Sequence, residues 1–340
     1  MNLPDLRNFD LAGKRVLVRV DFDVPLVEQE GERVKEWKVG DDTRIKNALP
    51  TIKYLLSVGA KIILLSHLGR PEGVAVPDLS LAPVVEKLQE LLPHIKVKFQ
   101  IDDEEVVLLE NLRFDPGEEN NNPAFAQKLA LLGDFYINDA FAASHREHAS
   151  IVGLPKLLPH AAGLSLLKEI EVLSEILENP RRPMVVILGG TKEDKLEVMP
   201  GLLRFADYIL MGGKLPKFME TGNWKLETGK LVIGALNDEG KDITLETVEK
   251  FGEMIDKSGT IVWAGPMGQY EEEEWSLGTK QIAQAVTESN AFKVIGGGDT
   301  EAALSKFGLV EKIDFVSSGG GAMLEFLANG DLPGLAALRN

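Results

Sequence analysis

The stretch KVIGGGDTEAALSKFG, residues 293–308, runs from an apolar segment through three consecutive glycines into a helical pattern. Val294 and Ile295 are typical of a buried strand, whereas Ala303 and Phe307 recur at helical spacing. Glycine lets the backbone approach a ligand closely, and the free N–H groups of a helix N-terminus favour an anion. The stretch therefore predicts a strand, a tight turn and a helix start that together hold an anion.

The composition points to a protein of two domains. The chain has 340 residues, of which 44% are hydrophobic. This length is too great for one ordinary core and sufficient for two. It has no cysteine, which excludes disulfides, thiolate metal sites and a cysteine nucleophile. Because the formal net charge is −16, we expect no nucleic-acid partner, and any anionic ligand must meet a local basic pocket.

The N-terminal segment MNLPDLRNFDLAGKRVLVRV does not resemble a signal peptide, and no apolar run approaches membrane-spanning length. We therefore expect a cytoplasmic protein without a membrane partner, and we expect it to be a monomer.

Short apolar runs that end abruptly in polar or glycine residues recur along the chain. They are RVLVRVDFD, KIILLSHLGR, VVLLENLRF, DFYINDAF, MVVILGGTK, DYILMGGK, TIVWAGPMG, KVIGGGDT and IDFVSSGGG. Helical patterns lie between them, such as residues 48–56 before Gly59, and Ser80 is placed to cap a helix over residues 81–92. Alternating strands and helices predict an α/β fold with parallel sheets and with ligands at the carboxyl ends of the strands.

These strand ends differ between the two halves of the chain. Up to about residue 150 they carry charged side chains, and from residue 184 onward they carry glycines. The segment SLLKEIEVLSEILENPRRP, residues 165–183, separates the halves and has the apolar spacing of one helix. We interpret it as a connector between two α/β domains.

Simpler explanations exist for each motif taken alone. A single glycine-rich turn after a strand is often only a turn, and HREH could be a helix surface or a metal-binding pair. For His145 and His148 we favour core or surface roles, because no third ligand accompanies them. The chain contains no GxxxxGK[ST] motif and no GxGxxG motif followed by an acidic residue, so a nucleotide would have to be held in another way.

The motifs VRVDFDVP, DDTRI, SHLGRP, LLENLRF, INDAFAASHREHAS, ILGGTKEDK, VWAGPMGQYE, GGGDT and SSGGGA occur in one order over nearly the whole chain. In that order they resemble the phosphoglycerate kinase family. The resemblance implies reversible phosphoryl transfer between 1,3-bisphosphoglycerate and ADP, giving 3-phosphoglycerate and ATP, with Mg²⁺. It also implies two Rossmann-like domains with parallel sheets joined by a hinge helix, which react only after closure.

The predicted boundaries follow from this resemblance. Residues 1–162 form the acid-substrate domain, and residues 163–182 form the hinge helix and linker. Residues 183–324 form the nucleotide domain, and residues 325–340 return to the N-terminal domain.

The resemblance also implies the site residues. Arg44 and Lys192 are the catalytic residues, which stabilise charge on the migrating phosphoryl group. The acid is bound by Asp21, Asp23, Arg44, His67, Arg70, Arg113 and Arg146, since guanidinium groups bind phosphate and carboxylate oxygens bidentately. The nucleotide is bound by Lys192, Lys195, Gly212, Gly213, Pro266, Glu271, Gly297, Gly298, Asp299 and Thr300. Among these, Glu271 contacts the ribose and Asp299 ligates the magnesium ion.

Backbone N–H groups at two helix starts form what we call the phosphoryl cradle, which is made of Gly297, Gly298, Gly320 and Gly321.

The chain departs from the family pattern at several of these positions. Asp23 replaces the asparagine of DFN, and GGTKEDK is one residue shorter between its lysines than the usual motif. Ala264 and Met211 replace an asparagine and a glycine near the nucleotide. Two alternatives to an active kinase therefore stay open: a nucleotide-binding relative with impaired turnover, and a kinase for another phosphorylated acid.

Overall fold

The computed structural model describes residues 1–30, 35–100, 104–222, 224 and 229–339. This chain divides into two compact units. The first contains Met1–Ile170 together with Leu332–Asn340, and the second contains Glu171–Asp331.

The first unit is organised around a six-stranded parallel sheet. Its strands, together with the two of a separate hairpin, are β1 (Arg15–Arg19), β2 (Leu26–Glu30), β3 (Lys35–Val39), β4 (Lys61–Leu65), β5 (Val97–Phe99), β6 (Val106–Leu108), β7 (Phe135–Asn138) and β8 (His160–Ala162). The order across the sheet is β5-β6-β4-β1-β7-β8, and β2 pairs with β3 alone as an antiparallel hairpin. The central strand β1 has Val16, Leu17 and Val18 fully buried, as expected where helices cover both faces.

Helices connect and cover these strands. They are α1 (Thr43–Ser57), α2 (Ala82–Leu91), α3 (Pro116–Glu119) and α4 (Pro123–Ala130), followed by α5 (Leu164–Glu178), which begins in the first unit and ends in the second. Short 3₁₀ turns cover Leu6–Asn8, Pro77–Leu79, Leu112–Phe114 and Leu154–Lys156, and a π-helical turn covers Ala149–Gly153.

The second unit has the strand order of a doubly wound sheet. Its strands are β9 (Met184–Leu188), β10 (Tyr208–Met211), β11 (Leu231–Ile233), β12 (Thr260–Ala264), β13 (Phe292–Gly296) and β14 (Phe315–Ser317), all parallel in the order β11-β10-β9-β12-β13-β14. The chain begins at β9, builds outward to β11, and then starts again at β12 on the other side. The carboxyl ends of β9 and β12 therefore form a topological switch point, where such sheets bind ligands.

The helices of the second unit are α6 (Met199–Phe205), α7 (Leu215–Thr221), α8 (Leu245–Asp256), α9 (Leu277–Glu288), α10 (Gly298–Lys306) and α11 (Gly320–Asn329). Its 3₁₀ turns cover Glu193–Leu196, Glu273–Trp275 and Val310–Lys312. The last helix, α12 (Pro333–Ala337), belongs to the first unit.

The predicted α/β fold with two parallel sheets is confirmed, and each quoted apolar run contains a strand. The predicted cap of α2 is wrong by one residue: Leu81 is the N-cap. The Ser80 hydroxyl still accepts from the Ala82 N–H at 3.2 Å, while it donates to Glu110 at 2.8 Å. No helix in the described ranges is long and apolar enough to cross a membrane. The finer domain boundaries remain predictions.

Candidate functional site

The predicted residues lie in two regions, one at the carboxyl edge of each parallel sheet. The first is centred on Arg19, the last residue of β1, whose side chain is fully buried. Its guanidinium donates to Ser150 Oγ at 2.9 Å, to the Val20 carbonyl at 2.5 Å and to His67 Nδ1 at 2.9 Å. A charge in the middle of a sheet is tolerated only with such partners, so these contacts hold the guanidinium at one place.

His67 follows β4 and is buried beside that guanidinium. Burial lowers the pKa of His67 well below its ordinary value, and the positive charges of Arg19, Arg113 and Arg44 lower it further. The imidazole is therefore neutral near pH 7. Because a guanidinium has only donors, Nδ1 must accept, and the ring proton is on Nε2.

Asp23 and Arg113 meet at the backbone of Gly69, two residues after His67. Asp23 Oδ1 accepts from the Gly69 N–H at 2.8 Å, and Arg113 donates to the Gly69 carbonyl at 2.8 Å. Asp23 Oδ2 lies 3.9 Å from His67 Nε2. The side chain of Asp23 is 40% exposed, whereas burial lowers the pKa of Arg113. Predicted residues that lie up to ninety positions apart in the sequence thus meet around one loop.

Asp21 lies two residues after the end of β1 and is buried. Its Oδ2 accepts from the Ala142 N–H at 2.8 Å, and burial raises its pKa while Arg19 and Arg44 oppose that shift. Asp139 is the residue after β7, and its side chain contacts the first turn of α5. It accepts there from the N–H groups of Ser165 and Leu166 at 2.9 and 3.0 Å. Burial raises the pKa of Asp139 to about 7.

The remaining predicted acid-binding residues surround this cluster. Arg44 is half-buried in the first turn of α1, and its positive charge acts to lower the pKa of both Asp21 and His67. Arg70 and Arg146 are exposed. Arg146 lies in the turn that leads to His148, whose pKa burial lowers to about 3.

Glu118 and Ser150 were not singled out from the sequence. Glu118 is fully buried on α3, and both its oxygens accept from Ser150, Oε2 from the N–H at 2.9 Å and Oε1 from the hydroxyl at 2.5 Å. The one sequence signal for this network was Arg19 itself, a charge inside the apolar run RVLVRV.

In the second unit, Lys195 lies at the topological switch point. Its ammonium donates to the carbonyls of Gly189 at 2.7 Å and Ala264 at 3.0 Å, which follow β9 and end β12. Burial lowers the pKa of Lys195 to about 8, while the carboxylate of Asp299 opposes that shift. This positive group is thus fixed at the point where the fold is expected to bind an anion.

Lys192 is exposed and precedes the 3₁₀ turn Glu193–Leu196. Lys192 is the N-cap of this turn and has an extended backbone, whereas Lys195 lies within the turn.

The three glycines of GGGDT have three different structural roles. A Cβ on Gly296 would lie 2.7 Å from Met323 Cε, so this position needs close packing against α11. Gly297 is the N-cap of α10 with φ of +96°, which L side chains rarely adopt. Gly298 begins the helix, and a Cβ there would meet nothing within 4 Å. Only Gly298 is therefore free of a steric requirement from the protein.

The two helix starts of the phosphoryl cradle adjoin each other. A Cβ on Gly320 would lie 2.8 Å from the Gly296 carbonyl oxygen, whereas Gly321 faces open space. The first N–H groups of α10 and α11 have no partner inside their own helices. They therefore supply donors and positive dipole ends on neighbouring turns.

The glycine turns are also linked to one another. The Gly190 N–H donates to the Pro266 carbonyl at 2.7 Å, and the Gly213 N–H donates to the Met267 carbonyl at 3.0 Å. The Thr300 hydroxyl accepts from the Gly265 N–H at 2.7 Å and donates to the Gly296 carbonyl at 3.1 Å. The buried hydroxyl of Thr300 thus joins the ends of β12 and β13. Gly212, which the Leu188 carbonyl holds at 2.8 Å, is part of the same set of turns.

Glu271 and Asp299 lie at the exposed rim of this region. Burial raises the pKa of Tyr270, and the charges of Glu271 and Asp299 raise it further. Lys306 holds this loop by donating to the carbonyls of Tyr270 at 2.8 Å and Glu271 at 3.0 Å.

Within the described ranges, no group of three or more His, Asp or Glu side chains could enclose a metal ion. A lone exposed carboxylate such as Asp299 suits magnesium, which is commonly held by one or two carboxylates together with water and phosphate oxygens.

Fold and geometry together define a class: a two-unit α/β protein with a buried arginine–histidine cluster on one sheet and glycine turns around a lysine on the other. The family model "Phosphoglycerate kinase" matches residues 6–234 and 224–330. Phosphoglycerate kinase of Thermosipho africanus is 41% identical over 400 aligned positions, covering 98% of this chain and 97% of that protein. The enzyme of Dictyoglomus turgidum is 42% identical, covering 99% and 98%.

Solved structures agree. Phosphoglycerate kinase from Pyrococcus horikoshii superposes with a TM-score of 0.82 at 30% identity, covering 99% of this chain and 98% of that one. The structure of the same enzyme from Coxiella burnetii gives 0.79 at 32% identity, covering 99% of each chain. The chain belongs to the phosphoglycerate kinase family, and it is therefore a phosphotransferase.

Proposed function

We propose that this protein transfers a phosphoryl group reversibly between 1,3-bisphosphoglycerate and ADP, giving 3-phosphoglycerate and ATP. The observation that carries the proposal is the chemical difference between the two sheet edges. One edge presents buried and half-buried cations, and the other presents glycine N–H groups around a fixed lysine. A phosphorylated acid suits the first edge and a nucleotide suits the second.

In this proposal the acid binds at the cluster around Gly69. 3-Phosphoglycerate carries a phosphate and a carboxylate, and Arg113, Arg70 and Arg146 supply guanidinium groups that can bind such oxygens bidentately. The neutral His67 adds an Nε2–H donor without adding charge. Asp21 and Asp23 limit the net positive charge of the cluster.

The nucleotide phosphates bind at the phosphoryl cradle, where helix N-termini favour anions. Gly212, Gly213 and Pro266 belong to the linked turns that shape this region, and Glu271 at the rim contacts the ribose. Asp299 would ligate magnesium, which supplies charge neutralisation on the phosphate oxygens. Lys195, which is held by two carbonyls, places a further positive charge beside those oxygens.

Transfer itself needs alignment and charge stabilisation more than covalent help from the protein. We assign this work to two cations, the half-buried Arg44 on the acid side and the exposed Lys192 on the nucleotide side. Both can follow charge as it develops on the migrating group, and a donor of this kind contributes about a hundred- to a thousandfold in rate.

A coupled assay with ATP, magnesium and 3-phosphoglycerate tests the proposal. We expect turnover that needs all three components and that is lost when a chelator removes the metal. Glycerate, which lacks the phosphate, serves as the matched control and should not be turned over at comparable concentration.

Binding of ATP without turnover would instead indicate an impaired relative. Turnover only with another phosphorylated acid would keep the reaction class and replace the substrate.

A further inference from the structure

A continuous chain of hydrogen bonds leads from a fully buried carboxylate to the acid site. Glu118 binds the hydroxyl of Ser150, the oxygen of that hydroxyl accepts from Arg19 Nε, and Arg19 also donates to His67 Nδ1. Glu118, Arg19 and Ser150 are all 0% exposed. These residues come from α3, β1 and the π-helical turn Ala149–Gly153, so the network depends on the folded unit.

The direction of each hydrogen bond in this chain follows from an ionised Glu118. Burial raises the pKa of Glu118, while the charge of Arg19 and the two hydrogen bonds from Ser150 oppose that shift and favour the carboxylate. The carboxylate can only accept, so the hydroxyl hydrogen of Ser150 points to Glu118. The Ser150 oxygen then faces Arg19 with a lone pair and accepts from Nε. The guanidinium can only donate, so His67 Nδ1 can only accept. Reversal of any one step would place two hydrogens, or none, between adjacent atoms.

We propose that Glu118 and Ser150 are positioning residues of the acid site, which act through Arg19 to hold His67 in the tautomer with its proton on Nε2. That nitrogen lies 3.9 Å from Asp23 Oδ2, on the side where the predicted acid-binding residues gather. The neutral ring thus presents a donor to an anion, at a place where surrounding arginine charges disfavour a protonated imidazole.

Charge balance gives Glu118 a second reason to act on this site. A buried guanidinium without carboxylates nearby would be costly; Asp21 interacts with Arg19 through its charge, and Glu118 is joined to it through one bridging hydroxyl. Tyr136 donates to the Ser150 carbonyl at 2.6 Å, which fixes the bridge from its other side. When the bridging hydroxyl is removed, Arg19 can turn toward Glu118 and leave His67 Nδ1 without its donor.

The decisive experiment reads the tautomer of His67 in the full-length ¹⁵N-labelled protein. Two-bond ¹H–¹⁵N spectra near pH 7.5 distinguish a protonated from an unprotonated ring nitrogen, and His67→Gln assigns the resonances. We expect one tautomer, protonated on Nε2, in the wild-type protein and in Ser150→Thr. In Ser150→Ala and Glu118→Gln we expect a second population protonated on Nδ1.

The matched control is Ser258→Ala, which removes a buried hydroxyl bonded to the Ile255 carbonyl in the second unit. It should leave the His67 spectrum unchanged. If the Nε2 tautomer persists alone in both Ser150→Ala and Glu118→Gln, the proposal is wrong. If Glu118→Gln does not fold, the smaller change Ser150→Ala decides it.

The kinetic readout rests on the proposed function. Ser150→Ala should raise KM for 3-phosphoglycerate about tenfold, as expected for one charge-linked hydrogen bond, with kcat and KM for the nucleotide changed by less than about twofold. Ser150→Thr should restore most of the loss. An equal rise in both KM values would show a general structural defect and would overturn the assignment. The spectra need no substrate, so a wild-type protein without turnover would refute the proposed function and leave the tautomer test intact.

Discussion

At the carboxyl edge of the first sheet, the candidate site is built from side chains such as Arg19 and His67, which are buried and hydrogen-bonded to each other. At the same edge of the second sheet, Gly190, Gly213, Gly265 and Gly297 have positive φ, a conformation that L side chains rarely adopt, and Gly190 and Gly265 are buried. The first edge can be altered one functional group at a time, and it includes a carboxyl group, Asp139, whose pKa burial raises to about 7. The second depends on conformations and close approaches that almost any side chain would destroy.

The largest effect should come from a glycine of the second unit. A Cβ on Gly265 would lie 2.3 Å from the Gly189 carbonyl oxygen, and its φ is +97°. We expect Gly265→Ala to lower the free energy of unfolding by on the order of 3 kcal/mol and to abolish nucleotide binding. Urea denaturation and calorimetry with Mg-ATP measure both.

Gly298→Ala is the control for this change, because its Cβ would meet nothing within 4 Å. Stability should stay within about 0.5 kcal/mol of wild type, since this surface position meets no steric conflict. Nucleotide affinity should still fall, because the methyl group enters the space assigned to phosphate. Equal losses of stability in both variants would refute the distinction between packing glycines and ligand glycines.

The second prediction separates the two lysines. Lys192→Ala should lower kcat about a hundredfold or more with little change in either KM, and Arg44→Ala should do the same from the acid side. Lys195→Met should instead weaken nucleotide binding, because its ammonium bridges Gly189 and Ala264. Lys250→Ala, an exposed residue of α8, controls for the loss of one positive charge.

Steady-state kinetics with each substrate varied would measure these effects. A silent Lys192→Ala together with complete loss of turnover in Lys195→Met would show that the lysines were matched wrongly across the shortened motif.

The difference between the two edges also explains what the sequence could predict. Runs such as MVVIL and TIVWA are buried on both faces and identify the central strands by composition alone. The strands that no quoted run predicted are β2, β3, β5, β8 and β11, which are short edge strands or the separate hairpin. Three residues are too few for a strand pattern by themselves, and β14, which is also a three-residue edge strand, was found because its run continues into the glycines of SSGGG.

The site shows the same limit. Glycine turns are local, so their positions could be predicted from strand ends. The network from Glu118 to His67 joins residues separated by 32, 131 and 48 positions, and nothing in the sequence near GEE indicates a buried carboxylate. Such contacts become visible only when the sheet places β1 beside the turns that follow β4 and β7.

The third prediction tests the claim that side chains at the first edge titrate. Burial raises the pKa of Asp139 from 3.8 to about 7, so the folded state binds this proton more tightly than the unfolded state. Its stabilising contribution is therefore complete below about pH 4 and is lost as the pH rises toward 7. Asp139→Asn does not titrate, but its amide oxygen can still accept from Ser165 and Leu166.

We therefore expect the stability of Asp139→Asn relative to wild type to increase with pH across this window, by at most about 1.4 kcal/mol per pH unit. Denaturation curves of both proteins at several pH values between 4 and 7 would measure the difference. A difference that does not vary with pH would contradict the prediction.

The smallest effect concerns Asp23, the residue that departs from the family pattern closest to the acid. The nearby guanidinium of Arg19 donates to His67, Ser150 and the Val20 carbonyl rather than to Asp23. Asp23 Oδ1 is held by the Gly69 N–H at 2.8 Å, and an asparagine could keep that contact through its carbonyl oxygen.

A carboxylate about 4 Å from a substrate anion repels it by up to about 4 kcal/mol at an effective dielectric near 20, but Asp23 is 40% exposed, so solvent and Arg113 screen most of that repulsion. Asp23→Asn should therefore lower KM for 3-phosphoglycerate only a few-fold, and KM for the nucleotide should not change. Kinetics at low and high salt would add a check, because the gain should shrink as salt screens the charge. A higher KM in Asp23→Asn would instead mean that the carboxylate binds the substrate, and it would favour an acid other than 3-phosphoglycerate, with a hydrogen-bond donor facing Asp23.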